Sequence, residues 1–354
     1  WLWAAALIGM IVKYAEVALA IYYRRGSIGS GPMDYITYGL GRPRLARVYG
    51  VLVTLSALCM GNLVQVSSIA DSFVRAVDAC IAGPMPSPGA LRFALGLVLA
   101  AVTSLLLSGG AGRVGTAAEA LVPLMSLLFI AASMAVVAVN HSRIVNVMST
   151  VFVEAFRPGA ITGGICGVTT AQCIQWGLRR SAFSNEAGLG TAAIAHAAAD
   201  TDDPSGHGMW GIFEVFADTI VICTCTALAI LCSGINIPWG SVTGTEVYQS
   251  ALASVFGARV SAVFMAVTIC LFAYTSVMGW AVYGSRCAEY ISGRRGAALY
   301  GVLFPCICLC GCVMSTKGVW QIADLINALM SLPNLVSLLM LAPVAGKISR
   351  KIDT

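Results

Sequence analysis

Long apolar runs alternate with short polar connections along almost the whole chain. Runs of spanning length fall at 2–23, 47–76, 91–108, 117–139, 162–199, 208–233, 258–285, 296–315 and 322–346. A helix needs ~20 mostly apolar residues to cross the hydrocarbon core. Lipid leaves no water for open backbone groups, so helix is the expected state of every run. Nine spanning helices are expected. The connections, such as 24–47 and 83–89, concentrate glycine, proline and charge. Two weaker segments, 141–158 and 247–256, read as short interfacial helices; in the first, Ile144, Val147, Val151 and Ala155 recur at helical spacing.

Composition agrees. Of 354 residues, 58% are apolar and only 10% charged, with a mean hydropathy of +0.85. A soluble domain carries about 25% charged residues, so this chain cannot cover a water-facing surface. The expected class is an all-α polytopic membrane protein, residues 1–354 forming one transmembrane domain with no soluble domain appended. The net charge of +5 gives no reason to expect a nucleic-acid partner. Most of the 13 cysteines, among them Cys59, Cys166, Cys173, Cys223, Cys225 and Cys270, lie inside apolar runs and act as small hydrophobes. Cys306, Cys308, Cys310 and Cys312 alternate, which on a helix gives two pairs on different faces; no transition-metal site is expected. The chain starts at Trp1 inside an apolar run, and is read as a piece lacking its natural N-terminus.

Charge sets the orientation. With the first run passing inward, the inner connections hold Arg24, Arg25, Arg42, Arg44, Arg47, Arg113, Arg286, Arg294, Arg295, Lys347, Arg350 and Lys351. The outer ones hold Arg75, Arg92, Arg143, Arg157, Arg259 and Lys317. This two-to-one bias follows the positive-inside rule and places the C-terminus in the cytoplasm. An external start also implies at least one helix before Trp1.

The fifth run is unlike the others. Two glycines and the polar trio Ser184-Asn185-Glu186 interrupt it at mid-depth, just after Arg179 and Arg180. Transporters place their sites at such breaks, where half-helix ends meet charged groups and freed carbonyls coordinate cations. An Asn, a Glu and two Arg within one span are too costly to be idle. The break is expected at Ser184–Gly190.

From this segment outward the chain resembles the alanine or glycine:cation symporter family, the sodium:alanine symporters. The stretch from Phe183 through Ser184-Asn185-Glu186-Ala187-Gly188-Leu189-Gly190 to Ala199 is similar to that family's signature. Lys13 to Glu16, Gly31-Pro32-Met33, Gly61 to Ala70, Trp210 to Thr219, Gly279 to Gly284 and Pro333-Asn334-Leu335 agree in order. Ala193 departs from the usual proline, and Asp200–Asp203 makes acidic a loop that is usually basic. The resemblance implies the five-plus-five inverted repeat of the leucine and neurotransmitter transporters. The family's first core helix would precede Trp1, so the fold would be N-terminally truncated and the 354 residues alone would not transport.

The resemblance implies symport of a small neutral amino acid, alanine or glycine, with Na⁺ as coupling ion and no other cofactor. The setting is a plasma or inner cell membrane, and the oligomeric state is expected to be monomeric. Phe183 would wall the pocket, while Asn185 and backbone near Gly188 would meet substrate or ion. Gln65 would bond the substrate or a neighbouring helix. Thr275 and Ser276 match the sodium site, though hydroxyls in membrane helices also bond back to carbonyls a turn earlier. Ser276 shares a face with Trp280, which would close over the substrate. Glu186 would begin the second half-helix. Lys13 and Glu16, spaced i,i+3, would neutralise each other. Glu214 and Asp218, i,i+4, would repel unless one is protonated or paired, with Arg179 or Arg180 as a possible partner. His196 is expected to pack.

Three alternatives frame this reading. Intramembrane Glu186, Glu214 and Asp218 leave room for H⁺ coupling or another cargo. A membrane enzyme would need a zinc motif or a Ser/His or paired-Asp arrangement, and His141, His196 and His207 are not paired at ligand spacing. A channel would want pore-lining repeats or rings of charge, and neither is visible.

Overall fold

The computed structural model describes residues 1–25, 29–81, 87–156, 170–237, 244–314 and 316–350. Residues 162–169 of the fifth expected run, with Cys166, Arg157 and Lys351, lie outside them, as does the side chain of Lys317. No strand occurs among the described residues.

The helices in chain order are α1 (Leu2–Tyr22), α2 (Pro43–Cys80), α3 (Pro88–Ser108) and α4 (Gly110–Val139). A short α5 (Ile144–Glu154) follows, then α6 (Thr170–Asn185) and α7 (Thr191–His196). The remainder are α8 (Pro204–Ser233), α9 (Gly244–Phe256), α10 (Ala258–Val313) and α11 (Thr316–Ser349). Among the described residues seven helical segments are long and apolar enough to cross a membrane, against nine expected. The seventh and eighth expected runs both lie in α10, where Gly293 at φ 65°, ψ −160° is non-helical and divides two helices. The fifth run is divided between α6 and α7, and its residues 162–169 lie outside the described residues.

α1 shows how these helices meet their solvent. It exposes Leu7, Ile8 and Ile11, each above 60%, while Lys13 and Glu16 are buried. That inverts a water-soluble helix, and it is what hydrocarbon outside and a polar interior demand. α10 is the central post, packed along α2 and α3, with α11 against α2. α1 lies against α6, α7 and the first half of α8. A large core joins these helices through Tyr35, Tyr49, Met60, Trp280, Phe304 and Met330.

Two helices widen locally into π turns, Cys59–Val64 in α2 and Phe216–Ile222 in α8. Such turns bulge the backbone and recur at functional sites. They carry Gly61 and Asn62 in the first, Asp218 and Thr219 in the second. The expected helices at 141–158 and 247–256 correspond to α5 and α9.

Candidate functional site

The helical path is lost between Asn185 and Thr191. Glu186, Gly188 and Gly190 have φ of 55°, 94° and 84°. Left-handed backbone costs an L-residue roughly 1–2 kcal/mol, so glycine suits two of the three positions, and Glu186 needs outside support. Its carboxylate accepts from the Thr191 hydroxyl at 2.6 Å and from the Trp280 side chain. Glu186 therefore sits inside the break rather than at the start of the second half-helix, which Gly190 caps.

Glu186 N still donates to Ala182 O at 3.1 Å as in the helix, and Leu189 N to Glu186 O at 3.1 Å, but the other three amides of the break find side-chain partners off the helical path. Ala187 N donates to Asn185 Oδ1 at 3.0 Å, and Gly188 N and Gly190 N donate to Glu16 Oε1 at 2.9 and 3.1 Å. A continuous helix would have sent the first two to the carbonyls of Phe183 and Ser184. The Ser184 oxygen loses its helical donor to Glu16. Asn185 completes the brace, its Nδ2 donating to Ser181 Oγ at 3.0 Å and Thr219 Oγ1 at 3.1 Å. Only one lone pair on Oδ1 is left for a ligand.

Glu16 is fully buried, and Asn334 Nδ2 donates to its Oε1 at 2.7 Å and to Gly188 O at 2.9 Å. Tyr35 in turn bonds Asn334 Oδ1, and Tyr49 OH donates to Leu189 O at 2.7 Å. α1, α2, α11 and the turn after α1 thus clamp the break. Asn334 and both tyrosines were not singled out by sequence reasoning. Asn334 carried a signal, an amide in an apolar run, whereas Tyr35 and Tyr49 look like ordinary interfacial aromatics.

Lys13 and Glu16 form no ion pair within 4 Å, although the Lys13 charge still acts on the Glu16 carboxyl. Spacing put them on adjacent turns, but the open amides of the break draw Glu16 away. Lys13 Nζ donates to Asn185 O at 2.7 Å and lies 3.9 Å from Glu214 Oε2. Glu214 also meets His196 Nε2 at 2.7 Å. Asp218 accepts from Ser184 Oγ at 2.6 Å and Thr219 Oγ1 at 3.0 Å. Glu214 and Asp218 are thus separately partnered, and neither pairs with Arg179 or Arg180, whose guanidiniums lie over the Trp176 ring. His196 does more than pack: its Nδ1 is 2.9 Å from His207 Nε2. The two histidines, eleven residues apart, meet because the connection between α7 and α8 folds back.

A cavity of about 950 Å³ leads to this region. Phe129, Tyr248, Met265 and Phe272 form apolar walls; Asp71, Arg75, Arg180, Glu246, Ser184 and Asp218 supply polar groups. Arg75 faces Glu246 at 3.8 Å, and Asp71 pairs with Arg92.

The other expected site residues divide. Trp280 is buried against Gly61 of the α2 π turn and reaches the break through Glu186. Phe183 packs on the main core, and Gln65 is half-buried where the π turn ends. Thr275 Oγ1 donates back to Phe272 O at 2.9 Å, and Ser276 is half-buried beside it. Cys308 and Cys312 are buried while Cys306 and Cys310 are exposed, on alternate faces. In the acidic loop Asp203 caps α8, accepting from Ser205 N and Gly206 N at 3.0 Å, and Asp202 pairs with Arg24 at 3.1 Å.

A sequence model of the sodium:alanine symporter family matches residues 1–353. The chain belongs to that family. It is 37% identical to the sodium/alanine symporter AgcS of Methanococcus maripaludis over 97% of this chain and 74% of that protein. An uncharacterized transporter of Haemophilus influenzae is 33% identical over 97% of this chain and 74% of that one. The probable sodium/glutamine symporter GlnT of Bacillus subtilis is 31% identical, over 97% and 69%. As a member of the sodium:alanine symporter family the chain is a multi-pass membrane symporter and not an enzyme. Within this symporter, buried backbone, carboxylates and an ammonium converge at the clamped break.

Proposed function

We propose that the chain couples entry of a small neutral amino acid, alanine or glycine, to Na⁺ moving down its gradient, by alternating access around Glu186–Gly190. The observation that carries this is the break itself. Three of its amides are held by Asn185 and Glu16, which leaves the Ser184 carbonyl without its helical donor, next to the Ser184 and Asp218 side chains on the cavity wall. Na⁺ is a hard cation that takes oxygen ligands, and carbonyl ends of half-helices supply them. A substrate ammonium fits the same oxygens.

The rest of the reading follows from this. Nine spans in a leucine-transporter-type five-plus-five repeat would form one transmembrane domain over 1–354, monomeric, in a plasma or inner membrane with the C-terminus in the cytoplasm. The cavity would then open outward. Gly188, Ser276 and Trp280, with Phe183 and Gln65 at the margins, would line the substrate pocket, and Thr275, Ser276 and Asn185 would serve the ion. The alanine named for the archaeal relative and the glutamine named for the Bacillus one differ in bulk.

The test is uptake of radiolabelled alanine into proteoliposomes that hold the full-length gene product. Uptake should require external Na⁺ and fall to background for Asn185→Ala and Trp280→Ala at normal membrane levels. Equal uptake in choline buffer would remove Na⁺, and near-wild-type uptake by both variants would remove the site.

A further inference from the structure

Four titratable side chains stand in line between one face of the molecule and the break. His207, half-buried near the start of α8, places Nε2 2.9 Å from His196 Nδ1. His196 Nε2 is 2.7 Å from Glu214 Oε1, and Glu214 Oε2 is 3.9 Å from Lys13 Nζ. Lys13 is 5% exposed and donates to the last carbonyl of α6, Asn185 O.

The hydrogen positions follow from the partners. A carboxylate only accepts, so His196 carries its proton on Nε2; neutral His196 then accepts at Nδ1, and His207 must donate from Nε2. That leaves His207 Nδ1 as the acceptor at the outer end of the row. We infer that His207, His196 and Glu214 form a proton relay from the face bearing the 197–203 connection to the Lys13 contact with the break. A proton taken up at His207 Nδ1 releases the Nε2 proton to His196 Nδ1. His196 in turn passes its Nε2 proton to Glu214, which becomes a neutral acid. Both imidazoles end neutral in the opposite tautomer, and one proton has moved from water to Glu214.

The consequence lies at Lys13. Glu214 is its ion-pair partner within 4 Å, and the Glu16 and Glu186 carboxyls also act on Lys13. A buried ammonium that loses a counter-charge is destabilised, so protonated Glu214 removes one of three carboxylates around Lys13, weakens its hold on Asn185 O and loosens the end of α6. Other charged or titratable groups face the row: Arg24 and Asp203 beside His207, Tyr283 of α10 beside Glu214, and Glu16 and Glu186 beside Lys13. Arg24 is anchored on Ala199 O, Thr201 O and Asp202, which fixes its charge at the relay's mouth. This inference rests on the reading of the break as the transport site; the relay itself does not.

Histidine-selective ¹⁵N NMR of the reconstituted protein tests the relay without transport. His196 and His207 should titrate as a coupled pair. In proteoliposomes at fixed Na⁺, acidifying this face from about pH 8 to about pH 6 should cut alanine uptake at least about threefold in the wild type. His196→Gln and His207→Gln should keep the uptake seen at high pH and lose that dependence. Independent titration of the two imidazoles, or a wild-type pH profile in both variants, overturns the relay. Absence of Na⁺-dependent uptake in every form would sink the symport reading, while the NMR titration would still decide the relay.

Discussion

Removing the Glu16 side chain tests what holds the break open. In Glu16→Ala, Gly188 N and Gly190 N lose their acceptor, and Asn334 Nδ2 keeps only Gly188 O. A buried polar group left unsatisfied costs about 1–3 kcal/mol, so two amides together cost about 2–6 kcal/mol. Side-chain bonds between membrane helices average only ~0.6 kcal/mol, because the separated helices find other partners. The larger figure applies here. Positive φ at Gly188 and Gly190 aims both amides away from the helix, and rewinding would force Glu186 and Asn185 out of their own contacts.

Taking the lower bound of about 2 kcal/mol, occupancy of the held break falls roughly thirtyfold. Alanine uptake normalised to membrane protein should fall by at least that factor, with a lower unfolding midpoint in detergent. Glu16→Gln is the control. Oε2 has no hydrogen-bond partner, so a glutamine can keep its carbonyl oxygen where Oε1 accepts its three bonds. It should retain far more uptake than the alanine variant. Glu16→Ala at half the wild-type rate or better would refute the assignment of the carboxylate as the break's acceptor.

Three further outcomes are expected. Gly190→Ala should be worse than Gly188→Ala in uptake and thermal stability: both have positive φ, but a Cβ at 190 meets the Tyr49 hydroxyl and Pro32 Cγ at 2.7 Å, whereas at 188 it meets the mobile end of Leu335 at 2.8 Å. Gly61→Ala should reproduce the Trp280→Ala defect, because its Cβ would overlap the Trp280 side chain; normal uptake would show that the indole's position is immaterial. Thr275→Val should raise the Na⁺ concentration for half-maximal uptake about tenfold if the hydroxyl turns from Phe272 O to the ion, a gain or loss of ~1.4 kcal/mol. No change in that concentration would mean the bond to Phe272 O is its whole role.

How much of this could be read from the chain follows from the range of each interaction. The apolar runs are local, and their correspondence with the helices is close; the kink that divides two of them within α10 rests on Gly293, one glycine among 37. The break was legible because Gly188, Gly190 and the polar trio are contiguous. It opens at Glu186, two residues later than expected, since Ser184 and Asn185 still wind as the end of α6. Pairings were not legible. Helical spacing suggested that Lys13 would meet Glu16, yet spacing says nothing about amides 172 and 174 residues away that have no other acceptor. The same blindness hid Asn334, Tyr49 and the meeting of His196 with His207, all made by helices that return from elsewhere in the chain.

The break also divides its polar groups by direction, and this asymmetry is what a carrier needs. Glu16 and Asn334 hold the amides of Gly188 and Gly190 from the α1 and α11 side. The carbonyl released at Ser184 belongs to the other half, next to the cavity. Backbone donors spent on a fixed carboxylate cannot compete for an anion, so the acceptors are what remains to meet a mobile ligand. A cation or an ammonium can take them without displacing any bond of the clamp. Filling that half would complete the polar inventory of the break, and emptying it would leave the clamp on Glu16 intact.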